Sequence, residues 1–162
     1  MRFINLSNSN KQAIIDNEDY ERVSKYSWFL IERSDHLTVM RSSTKNNKSV
    51  TILLHRFVLN YSGKSEIDHK SRNGLDNRKE NLRFCTRSQN RQNSRSRHGT
   101  SSKYKGVFWC NTRNKWTAKI VINGKQFFAG RFDNEKQAAL AYNVAALKYH
   151  DPAFVRLNEV PL

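Results

Sequence analysis

The sequence predicts an α+β fold made of two small units, and three observations lead to that prediction. Apolar runs of strand length recur along the chain between polar breaks, which is typical of short antiparallel strands. The patterns Thr86-x-x-Gln89 and Asn134-x-x-Gln137 each indicate the start of a helix. Between them, residues 91–103 are rich in Ser and Arg and contain no apolar residue. A chain of 162 residues has room for one ordinary domain or two small ones.

The sequence of the N-terminal part, residues 1–65, indicates a small α+β layer. Residues 16–26 have acidic residues in their first turn, which favours a helix because the helix dipole is positive there. The predicted strands span residues 13–15, 27–31, 37–40 and 50–54, and residues 55–60 are predicted as a helical turn. This part shows no chemistry by itself.

The next block, residues 66–95, predicts the order strand, loop, strand, helix. Residues 67–69 resemble a strand end, and Asn73-Gly74 is a turn signal. Leu82 and Phe84 alternate with polar neighbours, as in a half-buried strand, before the helix that opens after Thr86.

The C-terminal part, residues 104–162, predicts a three-stranded antiparallel sheet backed by one helix. The strands are expected at 104–110, 116–122 and 125–132, with Asn123-Gly124 as a hairpin turn. Small alanines let the following helix lie close to the sheet, and its packed face is predicted to comprise Ala138, Ala141, Tyr142, Ala145 and Tyr149. Residues 96–103 are then the linker between the two units.

The charge distribution points to a polyanionic partner. The chain has 29 Lys and Arg against 14 Asp and Glu, a net charge of +15, with a pI near 10.2. Residues 81–132 contain twelve of the basic residues and no acidic one. A solvated surface normally mixes both signs, so this stretch favours nucleic acid. An anionic lipid surface is the alternative, but it calls for a basic amphipathic helix, which is missing from this stretch.

Other features exclude several classes of protein. No apolar run approaches the roughly 18 residues that span a bilayer, and residues 1–10 contain no secretory signal. Cys85 and Cys110 are too few for a disulfide scaffold, so reduced thiols and a cytoplasmic protein are expected. A zinc site built from Cys85, His98 and Cys110 would require unusual spacings and a fourth ligand.

Four polar residues suit the hydrolysis of a phosphodiester. A neutral imidazole, with an ordinary pKa near ~6.5, activates water, and His69 provides one. Mg²⁺ prefers hard oxygen ligands, which the Asp68 carboxylate and the Asn90 amide offer. Asn81 begins the second strand, where it could hydrogen-bond His69. The alternative is that the Asp-His pair is structural and the asparagines are turn and cap residues. Neighbouring residues of a strand face opposite sides, so Asp68 and His69 can meet one phosphate only if the strand bends there.

The stretch IDHKSRNGLDNRKENLRFCTRSQNRQN resembles the His-Asn-His (HNH) endonucleases of the phage homing type. The residues that carry the resemblance are the Asp-His pair, an Asn-Leu pair twelve residues after His69 and an Asn twenty-one residues after it. The resemblance implies the ββα-metal fold, with His69 as general base, Asn81 as the residue that orients it, and Asp68 and Asn90 as ligands of one divalent cation. That cation is expected to be Mg²⁺, with Mn²⁺ also suitable. His55 is expected to be structural support.

Residues 104–158 resemble the Apetala/ethylene-response-factor DNA-binding domain. The matching features are YKGV, W-x-A-x-I, F-x-G-x-F, AAxAYNxAA and the final LN. The resemblance implies a sheet in the DNA major groove. Phe108, Val121 and Phe128 depart from the plant pattern, which often has Arg or Trp there, so the plant target is not carried over. The predicted DNA contacts are Arg87, Arg91, Arg95, Arg97, Lys103, Lys105, Arg113, Lys115, Thr117, Lys119 and Gln126.

Taken together, the sequence predicts a site-directed endonuclease that acts on double-stranded DNA, most simply as a monomer. The first alternative is a non-catalytic transcriptional regulator with a degenerate nuclease unit. The second is an RNA-binding protein, because basic Ser/Arg segments also suit RNA.

Overall fold

A computed structural model gives the architecture of the chain and describes residues 1–33, 36–96 and 99–161. The chain divides into two compact units, Met1–Cys85 and Thr86–Leu162. Each unit combines small antiparallel sheets with short helices, so the predicted α+β class is confirmed. No helix within the described ranges is long and apolar enough to cross a membrane.

The first unit contains two hairpins, a three-stranded sheet and short helical turns. Its strands are β1 Arg2–Leu6, β2 Ser9–Ile15, β3 Phe29–Glu32, β4 Leu37–Lys45, β5 Lys48–Leu53, β6 Glu66–His69 and β7 Leu82–Cys85. Its helices are α1 Tyr20–Val23 and α2 Leu54–Val58, and 3-10 turns cover Asn17–Asp19 and Lys79–Asn81. β1 pairs with β2 and β6 with β7, and the larger sheet has the order β3-β4-β5.

The core of the first unit is built around Trp28, which is fully buried. Ile4, Ile15, Leu54 and Val58 belong to the same buried cluster. Burial of these side chains stabilises the fold by roughly 1.5–3 kcal/mol each for the large aliphatic residues. The cluster also reaches β6 and β7 through Ile67 and Leu82, and thereby holds the hairpin that contains His69.

The helix predicted at residues 16–26 is wrong in extent. A 3-10 turn and the single turn α1 occupy only residues 17–23. The Trp28 indole N–H donates to the Val23 carbonyl oxygen at 2.9 Å, and this carbonyl would serve the next turn of a longer helix. The strand predicted at residues 13–15 is part of a longer hairpin, whose first strand β1 was not predicted because Asn5 interrupts its apolar run.

The β6–β7 hairpin agrees with the predicted order of strand, loop and strand. Its register pairs Asp68 with Arg83 and His69 with Leu82. Gly74 lies in the connecting loop, where an added Cβ would be 1.8 Å from the Leu37 carbonyl oxygen, so only glycine fits. The alternation expected in β7 is partly wrong, because Leu82 and Cys85 are buried while Phe84 is exposed.

The second unit contains a short helix, a sheet and a longer helix. Its elements are α3 Arg87–Asn93, β8 Val107–Cys110, β9 Lys115–Ile122, β10 Lys125–Phe132 and α4 Glu135–Tyr149. The sheet is antiparallel with the order β10-β9-β8. The predicted capping box is confirmed: Gln89 N–H donates to the Thr86 hydroxyl at 3.2 Å, and Thr86 N–H donates to the Gln89 side chain at 2.9 Å.

The sheet and α4 form the core of the second unit. Asn123 and Gly124 both have positive φ, at 49° and 81°, as the predicted two-residue hairpin turn requires. The buried face of α4 consists of Ala138, Ala139, Tyr142 and Ala146. Tyr149, predicted on this face, is instead exposed at the end of the helix. Asn134 caps α4 by accepting a hydrogen bond from the Lys136 N–H at 2.7 Å.

The structural boundary between the units lies at residues 85 and 86, inside the block predicted as 66–95. The end of the predicted linker packs within the second unit, because Ser102 is buried and donates to the Glu135 carboxylate at 2.7 Å. The predicted domain limits are 1–65, 66–95, 96–103 and 104–162. They describe functional segments and remain a prediction, distinct from the structural boundary.

Candidate functional site

His69 ends strand β6, and its ring orientation is set by Asn77 from the loop that follows. The ring Nε2 lies 3.3 Å from the Asn77 Oδ1. Asn77 donates through its amide nitrogen to the carbonyl oxygens of Gly74 and Leu75, both at 3.1 Å. These two acceptors fix which end of the amide is oxygen, so Nε2 carries the proton that Oδ1 accepts. The lone pair of the neutral ring is then on Nδ1, the nitrogen that can act as a base.

The surroundings of His69 favour its neutral form. Burial lowers its pKa below the ordinary value, although the hydrogen bond to Asn77 and the charges of Asp68 and Asp76 oppose that change. The ring of His55 lies edge-on to the His69 ring, with centroids 5.3 Å apart. Burial, then the proximity of His69 and Arg56, lowers the pKa of His55 to about 3. Two neutral imidazoles therefore pack together at neutral pH, which fits the structural role expected for His55.

Asp68 is buried against Arg83, its partner on the neighbouring strand. The Arg83 Nε and a terminal nitrogen donate to the Asp68 Oδ2 at 2.9 and 2.6 Å. These two short hydrogen bonds hold the Asp68 carboxylate against the Arg83 guanidinium. Asp68 and His69 keep separate partners on successive residues of β6, in line with the alternation of a strand.

Asn81 is buried and holds the loop, a role different from the one predicted. Its amide nitrogen donates to the Asp76 carbonyl oxygen at 2.7 Å, and its oxygen accepts from the Ser71 N–H at 2.9 Å. At His69 Nε2 the hydrogen-bond partner is Asn77, and the orienting role of Asn81 toward His69 remains a prediction. Sequence reasoning missed Asn77 because nothing in its spacing distinguishes it from the other asparagines.

Asn90 lies in α3 and belongs to the second unit, whereas Asp68, His69 and Asn81 belong to the first. The structure therefore describes the predicted site in two parts. Within the second unit, Asp151 holds α3 through two hydrogen bonds. The Gln89 side chain donates to the Asp151 carboxylate at 3.0 Å, and the Asp151 backbone N–H donates to the Gln92 side chain at 3.1 Å.

Lys105 also fastens α3, although it was predicted to contact DNA. Its ammonium donates to the carbonyl oxygens of Arg91, Gln92 and Ser94 at 2.8, 2.6 and 2.9 Å. These carbonyls lie at the C-terminal end of α3, where a cation is favourable. Lys105 thus acts as a C-terminal cap, and a phosphate contact would compete with these hydrogen bonds.

A cleft of about 760 Å³ lies between α3 and the sheet in the second unit. Five cationic side chains line it: Arg87, Arg91, Arg95, Lys105 and Lys119. Gln126, Phe108 and Val121 contribute to its lining as well. A cleft lined by cations concentrates positive potential, which suits a phosphate backbone.

The predicted DNA contacts differ in exposure, and Lys119 of the cleft is half-buried. Arg87, Arg91, Arg95, Lys103, Arg113 and Gln126 are exposed. Lys115 forms an ion pair with Asp133. Thr117 is only 3% exposed, and its hydroxyl has no hydrogen-bond partner among the residues that the structure describes, so a DNA contact would require its neighbours to move. Arg97 lies outside the described residues.

The predicted metal ligands, Asp68 and Asn90, offer oxygen atoms and do not form part of a cluster of metal-binding side chains among the described residues. Within the described ranges, no group of three or more His, Cys, Asp or Glu could hold a metal ion. Both cysteines are free thiols, with Cys85 buried and its pKa raised to about 11 by that burial. His98, of the zinc alternative, lies outside the described residues. Asp68 and Asn90 offer one carboxylate and one amide oxygen, which are the ligand types that a hard cation prefers.

Comparison with known proteins finds family matches in two segments of the chain. Residues 54–92 match the family model described as HNH endonuclease, and residues 102–152 match the AP2 domain. The chain is 31% identical over 140 residues to an uncharacterized HNH endonuclease of Acanthamoeba polyphaga mimivirus, covering 83% of this chain and 68% of that protein. The resemblances to the HNH endonucleases and to the Apetala-type (AP2) domain are thereby confirmed.

The AP2 match extends to plant proteins. The chain is 37% identical over 57 residues to an AP2-like ethylene-responsive transcription factor of Arabidopsis thaliana, covering 35% of this chain and 13% of that protein. A second such factor is 37% identical over 54 residues, covering 33% of this chain and 17% of the factor. No solved structure matches. The two domains indicate DNA binding, the relatives support nuclease activity at the level of the family, and HNH nucleases generally use a divalent metal.

Proposed function

Because the chain belongs to the HNH endonuclease family, we propose that it is a site-specific, homing-type endonuclease that hydrolyses a phosphodiester of double-stranded DNA. The observation that carries this proposal is the hydrogen bond between His69 Nε2 and Asn77 Oδ1. A degenerate site would not need a buried amide, itself held by two carbonyls, to select one tautomer of a histidine.

His69 acts as the general base in this proposal. With its proton on Nε2, the ring can accept a proton from water at Nδ1. Its lowered pKa keeps it neutral, and thus competent as a base, at pH 7. Asn77 is a positioning residue that acts through His69, while Asn81 keeps the loop in the conformation that brings Asn77 to the ring.

Asp68 and Asn90 are the proposed ligands of one Mg²⁺ ion, which Mn²⁺ could replace. Bound metal would neutralise negative charge on the phosphate and on the leaving oxygen. The Arg83 guanidinium donates two hydrogen bonds to the Asp68 carboxylate and fixes its position. Arg83 therefore belongs to the proposed site, and sequence reasoning missed it because its register opposite Asp68 appears only in the folded hairpin.

The second unit is the proposed DNA reader. Its cation-lined cleft supports passage of the phosphate backbone beside α3, the helix that contains Asn90. A chain with one such site would nick DNA as a monomer, in the compartment that contains its DNA substrate, here proposed to be the cytoplasm of a bacterial or phage-infected cell. Exposed Arg87, Arg91 and Arg95 are the contacts we propose first.

The test is metal-dependent nicking of supercoiled plasmid by the full chain. We expect nicked product with Mg²⁺, none with EDTA, and nicking reduced by about 10² or more in the His69→Ala variant. Sequencing the ends produced on a large random DNA substrate then tests site specificity, since a site-specific enzyme gives recurrent end sequences. Undiminished nicking by His69→Ala would refute the role of His69.

A non-catalytic DNA-binding regulator is the second candidate. It is favoured by one observation, the Asp68 carboxylate engaged by Arg83, because a guanidinium at that position competes with a cation. Sequence-specific gel shifts without nicking in Mg²⁺ or Mn²⁺ would support the regulator over the nuclease.

A further inference from the structure

The sheet surface opposite α4 exposes apolar side chains among cations. Phe128 is 55% exposed and Val121 is 43% exposed. The register pairs Phe128 with Lys119 and Val121 with Gln126, so these side chains share one face. The opposite face, which includes Ala118 and Ile120, is buried against α4. Val121 and Phe128 therefore form an apolar pair on the face of the sheet away from α4, where Val121 also lines the cleft beside α3.

Cations surround this pair. The Lys119 ammonium lies 4.9 Å from the centroid of the Phe108 ring, and the Arg131 guanidinium lies 4.8 Å from that of Phe128. Residues 81–132 supply no acidic side chain to the face. A second copy of this chain would present like charge to it and be repelled, whereas a polyanion would be attracted.

Duplex DNA offers one apolar feature in its major groove, the 5-methyl group of thymine. The edges of guanine, adenine and cytosine present hydrogen-bonding groups there, which Val121 and Phe128 cannot satisfy. The major groove also admits a two-stranded β-ribbon such as β9 and β10. Cations next to the apolar pair can meet phosphates or guanine without displacing it from a methyl group.

We propose that Val121 and Phe128 are specificity-determining residues that contact the methyl groups of thymines in the target duplex. This inference rests on the DNA binding in the proposed function, but not on cleavage. The inference predicts that the target duplex contains a pair of thymine-containing base steps where the sheet enters the groove. Such recognition differs from recognition by arginine contacts to guanine.

The test measures binding of the full chain without metal, so that cleavage does not enter. Bound duplexes are selected from a random pool, and each thymine of the selected site is then replaced by uracil, which removes only the methyl group. We expect about a fourfold loss of affinity per contacted methyl, which corresponds to ~0.8 kcal/mol. Equal affinity for the thymine and uracil duplexes would overturn the proposal.

Variants assign the effect to the two residues. Each of the variants Phe128→Ala and Val121→Ala should lose the preference for thymine over uracil at one position of the site, the position that the replaced side chain contacts. Phe127→Ala is the matched control, because Phe127 is 47% exposed but pairs with Ile120 on the other face. Discrimination that survives Phe128→Ala and Val121→Ala together would also overturn the proposal. Failure of the chain to bind any duplex would overturn both this inference and DNA binding, whereas lost nicking with intact discrimination would affect only the proposed catalysis.

Discussion

The hairpin around His69 and the open face of the second sheet place their functional groups in opposite environments. Around His69, the buried Asn77 amide, held by two carbonyls, fixes one ring nitrogen as the donor, and the other nitrogen is the proposed base. On the sheet, the side chains proposed to meet DNA are exposed or lie over aromatic rings. The difference shows how one chain separates two tasks: chemistry requires a fixed orientation, while recognition requires surfaces that can give up water and ions.

The largest expected effect is the dependence of DNA binding on salt. If the cation-lined cleft neutralises about six phosphates, affinity should fall roughly 10³-fold between 50 and 200 mM salt. The measurement is a plot of log affinity against log salt concentration, with an expected slope near −0.9 per phosphate. A flat plot would contradict the prediction that the cations of the cleft neutralise DNA phosphates.

Replacing His69 by alanine should reduce cleavage by about 10² or more and leave affinity unchanged. The reason is that the ring activates water in the proposed mechanism, while the proposed DNA contacts lie in the second unit. Single-turnover nicking and a gel shift measure the two quantities. His36→Ala, at an exposed histidine of the same unit, is the control. Equal losses of binding and cleavage in His69→Ala would contradict the separation of tasks.

Protonation of His55 should destabilise the chain in acid. Between about pH 3, its folded pKa, and about 6.5, the unfolded state binds more protons than the folded state. Stability is thus full above pH 6.5 and decreases as the pH falls, by about 1–2 kcal/mol at pH 5. Urea unfolding at several pH values measures this, and His55→Gln should flatten the profile in that window. An equally steep profile in His55→Gln would assign the loss to other groups.

Asn77→Ala should lower the free energy of unfolding by about 1–3 kcal/mol, because it leaves the carbonyls of Gly74 and Leu75 without their buried donor. Asn77 is only 1% exposed, so water cannot replace it readily. Cleavage should decrease beyond the loss in folded protein, since the His69 tautomer is no longer selected. Thermal unfolding and nicking measure both, with exposed Asn17→Ala as the control. Wild-type stability in Asn77→Ala would contradict this role.

The smallest effect is expected at Lys105. Lys105→Met keeps much of the aliphatic chain but removes the cap on α3, and should destabilise the second unit by about 1 kcal/mol. Lys103→Met removes an exposed cation from the neighbourhood and should leave stability unchanged. Hydrogen exchange of the α3 amides measures the cap directly. Unaltered protection in Lys105→Met would make Lys105 a DNA contact rather than a cap.

Local patterns predicted much of the fold correctly. Thr86 and Gln89 specify a capping box by their own spacing, and Asn123-Gly124 specifies a hairpin turn, so neither depends on distant residues. The region 16–26 shows the limit of local patterns. Its acidic start favours a helix, but Trp28 takes the Val23 carbonyl and the helix stops.

The candidate site divides in the same way. His69 and Asp68 were predicted from residue type and spacing, and the family match supports that region. Asn77 and Arg83 were not, because the first depends on how the loop around Gly74 folds and the second on the register of β6 with β7. Lys105 was assigned to DNA from its charge alone, and its three carbonyl partners are visible only in the folded chain.

By itself, the sequence determined the class of fold, the concentration of positive charge in residues 81–132 and the family, because composition, periodicity and motif spacing are local properties. The tertiary structure decided which amide orients His69, which guanidinium holds Asp68 and which face of the second sheet stays open. These depend on hydrogen bonds and burial between residues distant in the chain. Their geometry is set by strand register and loop packing, which the order of residues does not display.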